Sequence, residues 1–364
     1  NYNGIIYNKV VRRYILEYVS KKLNDSIEIT KFTENVKSFA NTFSFFVKDN
    51  STVKSLSNIN SNEAAVYITD NILCPIVQEI IKILLILLTF VLFYVITNII
   101  LSFAKKIRKG IIEEVYSSQS GHPGGSLSIA DILTVLYFYE MNINPENPKD
   151  ENRDRLVLSK GHCSPALYAT LANKGFFDVE ELKSFRNING KLQGHPDMKN
   201  IPGVDMTTGS LGQGLSDANG MAIAGKLDNK DYRVYCILGD GEIEEGQIWE
   251  AAMASNKYKL DNLCVIVDNN NLQIDGTIEE VMSSYPIDEK FKSFGFQIIN
   301  IDGNDIEEII KAFDVARNVK GKPTCIIAKT VKGKGVSFME NKVEWHGKAP
   351  NEEQYKQAME ELEN

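Results

Sequence analysis

Two short apolar runs, RVYCIL at residues 233–238 and LCVIV at residues 263–267, each end in a polar cluster, and nothing else in the chain restricts its fold as tightly. Both are rich in β-branched residues and too short for a helix, which predicts buried strands. The stretch between them has room for one helix, and such a unit joins its strands in parallel through a right-handed crossover. The clusters Gly239-Asp240-Gly241 and Asp268-Asn269-Asn270-Asn271 then share the carboxyl edge of the sheet, where open α/β sheets take their ligands. The expectation is an α/β fold with a doubly wound, mostly parallel sheet.

The residue types at that edge point to a chemistry. Asp240 offers a carboxylate and Asn270 an amide oxygen, hard donors suited to a divalent ion such as Mg²⁺ that keeps water and phosphate oxygens in its shell. Gly239 and Gly241 let the backbone turn sharply and come close to a ligand. A lone Gly-Asp-Gly is in most chains an ordinary turn. Here a second polar cluster ends the next strand, which shifts the balance towards a diphosphate site. Residues 209–214 (GSLGQG) open another helix, running to about residue 226, and can aim backbone N–H groups at a phosphate.

All four histidines (His122, His162, His195, His346) sit in Gly-rich or turn segments, which is poor behaviour for core residues. His162 follows a short strand at 155–158 and precedes a helix at about 165–174, the same kind of junction that carries Asp240. His195 lies in a long irregular segment, 189–214, and loops of that length are functional or disordered. An imidazole with pKa near ~6.5 can both give and take a proton at neutral pH. Further strands are predicted at 296–301 and 324–328, with helices at 305–318 and 352–363. Segment 120–125 (SGHPGG) is too rich in Gly and Pro for a helix, a helix is expected over 128–139, and Lys332-Gly333-Lys334 reads as a solvated loop.

Residues 1–104 are different in kind. They hold one of the 25 glycines, one of the 10 prolines and no histidine. They carry 10 Lys+Arg against 8 Asp+Glu, leaving 30 against 40 for the rest, so the formal charge of −8 divides into +2 and −10. An acidic main domain argues against nucleic-acid binding. Helical periodicity is weak at 10–23 and 64–80. Residues 83–103 then run for 21 positions without a charge, close to the ~20 that span a hydrocarbon core, and form a transmembrane helix candidate. A fully buried soluble helix is the alternative. Lys105, Lys106, Arg108 and Lys109 follow, and the positive-inside rule places the carboxyl side in the cytoplasm. No cleavable signal peptide is visible, and a first residue other than Met reads as a start inside a longer frame. The five cysteines lack CxxC spacing and fit small core residues in a reducing compartment. In hydropathy this amino-terminal part loosely resembles the membrane portion of the colicin V production protein family.

From about residue 105 onward, six motifs stand in order: SGHPGG at 120–125, SKGH at 159–162, GHPD at 194–197 with PGVDMTTGSLGQG at 202–214, GDGEIEEG at 239–246, VDNNNLQIDG at 267–276 and WHGKAP at 345–350. In this the chain closely resembles the amino-terminal, diphosphate-binding half of transketolase. The resemblance implies the thiamine-diphosphate-binding fold, thiamine diphosphate held through Mg²⁺, and transfer of a two-carbon ketol unit from a ketose phosphate to an aldose phosphate. It implies that Asp240, Asn270 and the backbone carbonyl of Leu272 ligate Mg²⁺. His162, Gly209, Ser210, Leu211, Gly241, Asn270 and His346 would touch the cofactor. His122 and His346 would move protons above the thiazolium carbon, with His195 beside them at the donor sugar, and Glu245 and Glu250 would join a glutamate network across a subunit interface. An acidic first helical turn, favoured by the helix dipole, explains the glutamates near 242–245 without any such role.

A full-length transketolase continues well past this point, supplying a pyrimidine-binding domain with its activating glutamate and the phosphate-binding arginines. The resemblance therefore implies a split enzyme, with this chain in a heterotetramer with a separate carboxyl-terminal subunit. Residues 1–104 are foreign to that pattern. They form either a natural fusion that anchors a cytoplasmic domain to a membrane or a join of two unrelated reading frames, and the abrupt change of composition favours the join. Two alternatives stay open: another thiamine-diphosphate enzyme of deoxyxylulose phosphate synthase or phosphoketolase type, and a membrane-tethered binding protein without turnover. WHGKAP and GHPD argue for transketolase.

Overall fold

A computed structural model describes residues 74–363. The periodicity at 10–23, and most of the segment likened to a membrane protein, lie outside the described residues. The chain divides into two compact units, Asn1–Val95 and Ile96–Asn364. What is described of the first is the start of helix α1 (Cys74–Ser118), on which Leu87, Leu88, Val91, Leu92, Tyr94 and Val95 are exposed, so the run is not a fully buried helix. Among the described residues one helix, over Leu87–Ser118, is long and apolar enough to cross a membrane.

The second unit is built on five parallel strands, β1 (Arg155–Leu158), β2 (Val234–Gly239), β3 (Leu263–Asn269), β4 (Gln297–Asp302) and β5 (Thr324–Lys329), in spatial order β1-β2-β3-β5-β4. Its helices after α1 are α2 (Pro123–Ser128), α3 (Ala130–Val135), α4 (Ser164–Lys174), α5 (Gly214–Leu227), α6 (Gly246–Lys257), α7 (Ile278–Val281), α8 (Ile287–Ser293), α9 (Ile306–Asn318) and α10 (Glu352–Glu361). Strands β2, β3 and β5 are buried along nearly their whole length, as parallel strands covered on both faces must be, while edge strand β4 is partly exposed.

The chain steps outward from β1 through β2 and β3 to β4, then doubles back to insert β5. That reversal sends α9 to the face opposite α5 and α6. On the α5/α6 face, Ala218, Ala222, Ala251 and Ala252 join one buried cluster with Val234, Cys236 and Val265, small residues letting helices and strands approach closely. On the other face α9 packs against α3, and Phe313 meets Tyr235 edge to face with ring centroids 5.8 Å apart. Cys163, Cys236, Cys264 and Cys325 are buried free thiols, as their apolar setting predicts.

Three local expectations are revised. Segment 120–125 is not all turn: α2 starts at Pro123, whose fixed φ suits a first helical position, and holds two glycines because a Cβ on Gly124 would stand 2.8 Å from the Trp345 carbonyl oxygen. The helix expected over 128–139 is present from Ala130, as α3 continued by a π turn over Leu136–Glu140. Arg108 is not a flanking surface charge. It is buried and pairs with Asp131 through two parallel bonds, Nη1 to Oδ1 at 3.0 Å and Nη2 to Oδ2 at 2.6 Å, on the face of α1 that also buries Ile100, Ala104, Ile107 and Ile111.

Candidate active site

Strands β1, β2, β3 and β5 all end at one edge, and the loop after each reaches a common cavity of about 400 Å³, within the range of small-molecule sites. Lys160 and His162 come from β1, Asp240 and Gly241 from β2, Asn270 and Leu272 from β3, and Lys332 from β5.

Asp268, the penultimate residue of β3, organises this edge. It is fully buried, and its carboxylate accepts bonds from Ser128 Oγ (2.7 Å), Asn270 Nδ2 (3.0 Å), Lys160 Nζ and Thr330 Oγ1. Burial works against its charge, but the Lys160 ammonium and the hydroxyls outweigh that and hold the carboxyl below its ordinary range. Because Asn270 spends its nitrogen on Asp268, its oxygen is left facing the other way, accepting from the Leu272 N–H at 3.1 Å. That orientation is the one an oxygen-seeking cation needs.

Asp240 is buried, and its carboxylate accepts from two backbone N–H groups, Gly241 at 3.0 Å and Asn271 at 2.6 Å. Burial, and then the charge on Asp268, push its pKa up to about 7. A buried carboxylate beside a second one, held only by N–H dipoles, is a fitting seat for a divalent cation. Among the described residues no cluster of three or more His, Cys, Asp or Glu could hold a metal.

Lys332 corrects the sequence reading. It is no solvated loop residue but is 2% exposed, its ammonium donating to the Leu272 carbonyl at 2.9 Å and lying 3.1 Å from His346 Nδ1. The Leu272 oxygen expected on the metal thus already accepts one bond, and its second lone pair can serve a cation. Sequence pattern does not single out Lys160, Asp268 or Glu242 either. Their signal is a charged residue at or just after a strand end, visible but ambiguous. Glu242 fastens the Gly-rich segment to β2: Oε1 accepts from the Gly212 N–H and Ser159 Oγ, and Oε2 from the Gly239 N–H. The Gly212 amide therefore serves Glu242, not a phosphate.

Of the Gly-rich residues, Gly209 and Leu211 line the cavity and Ser210 points to solvent. Gly209 has a φ of +156°, and His195 packs behind it, so a Cβ there would sit 3.1 Å from the imidazole Cδ2. His122, His162 and His346 form a triangle over the cradle, with ring centroids 5.1 to 5.4 Å apart. Burial, followed by neighbouring cations, lowers His122 to about 4 and His346 to about 3, and lowers His162 and His195 as well. All four are neutral at pH 7. His122 Nδ1 is buried without a hydrogen-bond partner among the described residues. Glu245 lines the cavity mouth, and Glu250 is exposed further along α6.

Known proteins fit this geometry. The family profile described as transketolase, thiamine diphosphate binding domain, matches residues 101–363. The chain belongs to the transketolase family. Its transketolase domain is 46% identical over 259 residues to one of the subunits of the apulose-4-phosphate transketolase of Phocaeicola vulgatus, covering 71% of this chain and 92% of that one. It is 48% identical over 260 residues to the 6-deoxy-6-sulfo-D-fructose transketolase subunit SqwG of Clostridium sp. (strain MSTE9), covering 71% and 94%. Among solved structures, the transketolase of Campylobacter jejuni superposes with a TM-score of 0.69 at 38% identity, over 73% of this chain but only 43% of that one. Residues 101–363 therefore form a thiamine-diphosphate-binding domain of the transketolase family.

Proposed function

We propose that this chain is the amino-terminal subunit of a two-subunit transketolase, which moves a two-carbon ketol unit from a ketose phosphate to an aldose phosphate with thiamine diphosphate, Mg²⁺ and a separate carboxyl-terminal subunit, the two forming a heterotetramer. The observation that carries this reading is the meeting, at one cavity, of the Asp240/Asn270 cradle with three neutral histidines. Spanning nearly the whole of two relatives named as subunits supports the split. Those relatives are named for different sugars, and the proposal accordingly covers the reaction class.

Asp240, Asn270 and the Leu272 carbonyl would hold Mg²⁺, and Gly209, Leu211 and Gly241 would let the backbone close on the diphosphate. When bound, the cofactor supplies a thiazolium carbon that takes up the ketol unit. His122 and His346, neutral at pH 7, can accept a proton from a sugar hydroxyl and return it. His195, braced behind Gly209, would meet the donor, and Glu245 and Glu250 face outward to a second subunit. The exposed apolar stretch of α1 followed by Lys105 and Lys106 supports an anchored form with the domain on the cytoplasmic side. Sequencing reads across the codons for residues 100–109 distinguish that form from a join of two frames.

The test is co-expression of the full chain with a carboxyl-terminal transketolase subunit, followed by an assay with xylulose 5-phosphate and ribose 5-phosphate. Ketol transfer is expected from the pair and negligible from the chain alone. Robust transfer by the chain alone would overturn the split, and pyruvate-dependent turnover would move the assignment to the deoxyxylulose phosphate synthase type.

A further inference from the structure

We propose that Arg186 is a positioning residue: its guanidinium ties the loop bearing His122 to the loop bearing His195 and sets the spacing of the two histidines at the donor sugar. The catalytic part of this rests on the function proposed above; the tie itself rests on geometry alone.

Arg186 leaves the 3₁₀ turn Val179–Ser184 in the left-handed region, with φ +57°, and its N–H donates to the Leu192 carbonyl at 2.8 Å, closing the loop over 186–192. Non-glycine residues held in that region need surroundings that over-determine them, and such residues gather at functional sites. On one side, Nη1 donates to Ser120 Oγ at 2.6 Å, two residues before His122. On the other, the guanidinium lies against Gly194, the residue before His195: a Cβ there would stand 2.8 Å from Nε, 3.0 Å from Nη2 and 3.1 Å from Cζ. The neighbouring Phe185 grips the first loop too, its Cε1 lying 3.2 Å from where a Cβ on Gly121 would be.

Among the described residues, three further hydrogen bonds on the His195 loop come from α4. The single Tyr168 O–H is shared between the carbonyls of Gln193 (2.9 Å) and His195 (2.8 Å), and Ser164 Oγ donates to that of Gly194 (2.9 Å). They fix one loop without reference to the other. Arg186 alone among these contacts joins the two, and through His195 it also backs Gly209. Its charge acts in the same sense, lowering both His122 and His195 after burial has done so, which keeps the pair neutral. Neither Arg186 nor His195 lines the cavity itself, so Arg186 acts through the loops it holds.

Hydrogen exchange read by mass spectrometry on the full chain, with and without the partner subunit, tests the tie. Arg186→Ala should speed exchange in the peptides covering 119–125 and 191–197 by about tenfold while the sheet stays protected. In the assembled enzyme it should lower kcat/KM for the ketose by about 10²-fold, the loss expected from a displacement of about 1 Å, leaving thiamine diphosphate affinity unchanged. Added guanidinium ion should restore part of the rate. Arg186→Lys keeps the charge but not the flat fork, and should exchange as fast as Arg186→Ala. Unchanged exchange in the 119–125 peptide would overturn the tie, as would faster exchange across the whole domain with a matching loss of cofactor affinity. If the wild-type pair transfers no ketol unit, the exchange result still decides the tie, so the two proposals fail separately.

Discussion

Two buried lysines reach the same cavity, one from the end of β1 and one from the end of β5, and the fold treats them in opposite ways. Lys160 is matched by a carboxylate: its ammonium pairs with Asp268 and also donates to the Gly125 carbonyl at 3.1 Å. Burial opposes its charge, yet Asp268 overrides that and raises its pKa. Among the described residues Lys332 has no carboxylate partner. It rests on the carbonyls of Leu272 and Gln273 and on the His346 ring, and burial, together with the charge on Lys160, lowers it to about 8. The first lysine is already neutralised within the chain, while the second gains most from an arriving anion. Burial of a charge thus marks structure at one position and readiness for a ligand at the other, and the partner tells which.

The sharpest way to break this comparison is to remove each ammonium in turn. Lys160→Met leaves Asp268 buried and unpaired, which should cost about 3–5 kcal/mol of stability, read as the urea midpoint. Adding Asp268→Leu in the same chain should recover much of it, since the strain lies in the orphaned partner. Lys332→Met should alter stability by no more than about 1 kcal/mol, because no carboxylate is orphaned. Equal losses for the two single variants would end the distinction.

Cofactor affinity should reverse the ranking. By calorimetry with thiamine diphosphate and Mg²⁺, Lys332→Met should weaken binding by about 10- to 100-fold, the effect of one charged hydrogen bond worth ~1.5–3 kcal/mol.

The pH dependence sharpens the picture further. Asp240, raised to about 7, must shed its proton to take a cation, so Mg²⁺-dependent binding should weaken up to about tenfold per pH unit below 7. Lys332, lowered to about 8, loses its charge above that pH and with it the attraction for the diphosphate. Affinity should therefore peak between about 7 and 8. Linkage fixes the sign for the cofactor-free protein too. A carboxyl raised on folding stabilises fully below its unfolded pKa of ~3.9, and that contribution is lost as pH rises through about 7. Thermal melts between pH 5 and 8 should show the loss in wild type and not in Asp240→Asn.

How much of this is legible in the sequence follows from the range of the contacts involved. The β2-helix-β3 unit is plain because two apolar runs and one helix between them are local, and the sheet edge that gathers Asp240 and Asn270 follows from crossover handedness alone. The histidines show themselves by sitting among glycines. Lys332 does not, because Lys-Gly-Lys is by default a wet loop; what buries it is α2, where the Gly333 N–H donates to the Gly124 carbonyl at 2.9 Å across more than two hundred residues. Arg108 reads as a flanking charge for the same reason, its partner Asp131 lying on another helix. Asp268 is visible as the polar end of a strand, but its role depends on Ser128, Lys160 and Thr330, each from a different segment.

The smallest expected effect concerns the outermost residues of the site. Glu250 is exposed on α6, where a substitution has nothing buried to disturb, so Glu250→Gln should shift the stability of this chain by no more than about 0.5 kcal/mol. Its weight, if it belongs to a network across a subunit interface, must appear only on assembly. Titrating wild type and Glu250→Gln with the carboxyl-terminal subunit, by sedimentation and by ketol-transfer rate, reads that directly. The expected result is weaker association or a lower rate in the complex, with cofactor binding to the isolated chain unaltered. An unchanged complex would return Glu250 to an ordinary solvated helix face and confine the interface role to Glu245 at the cavity mouth.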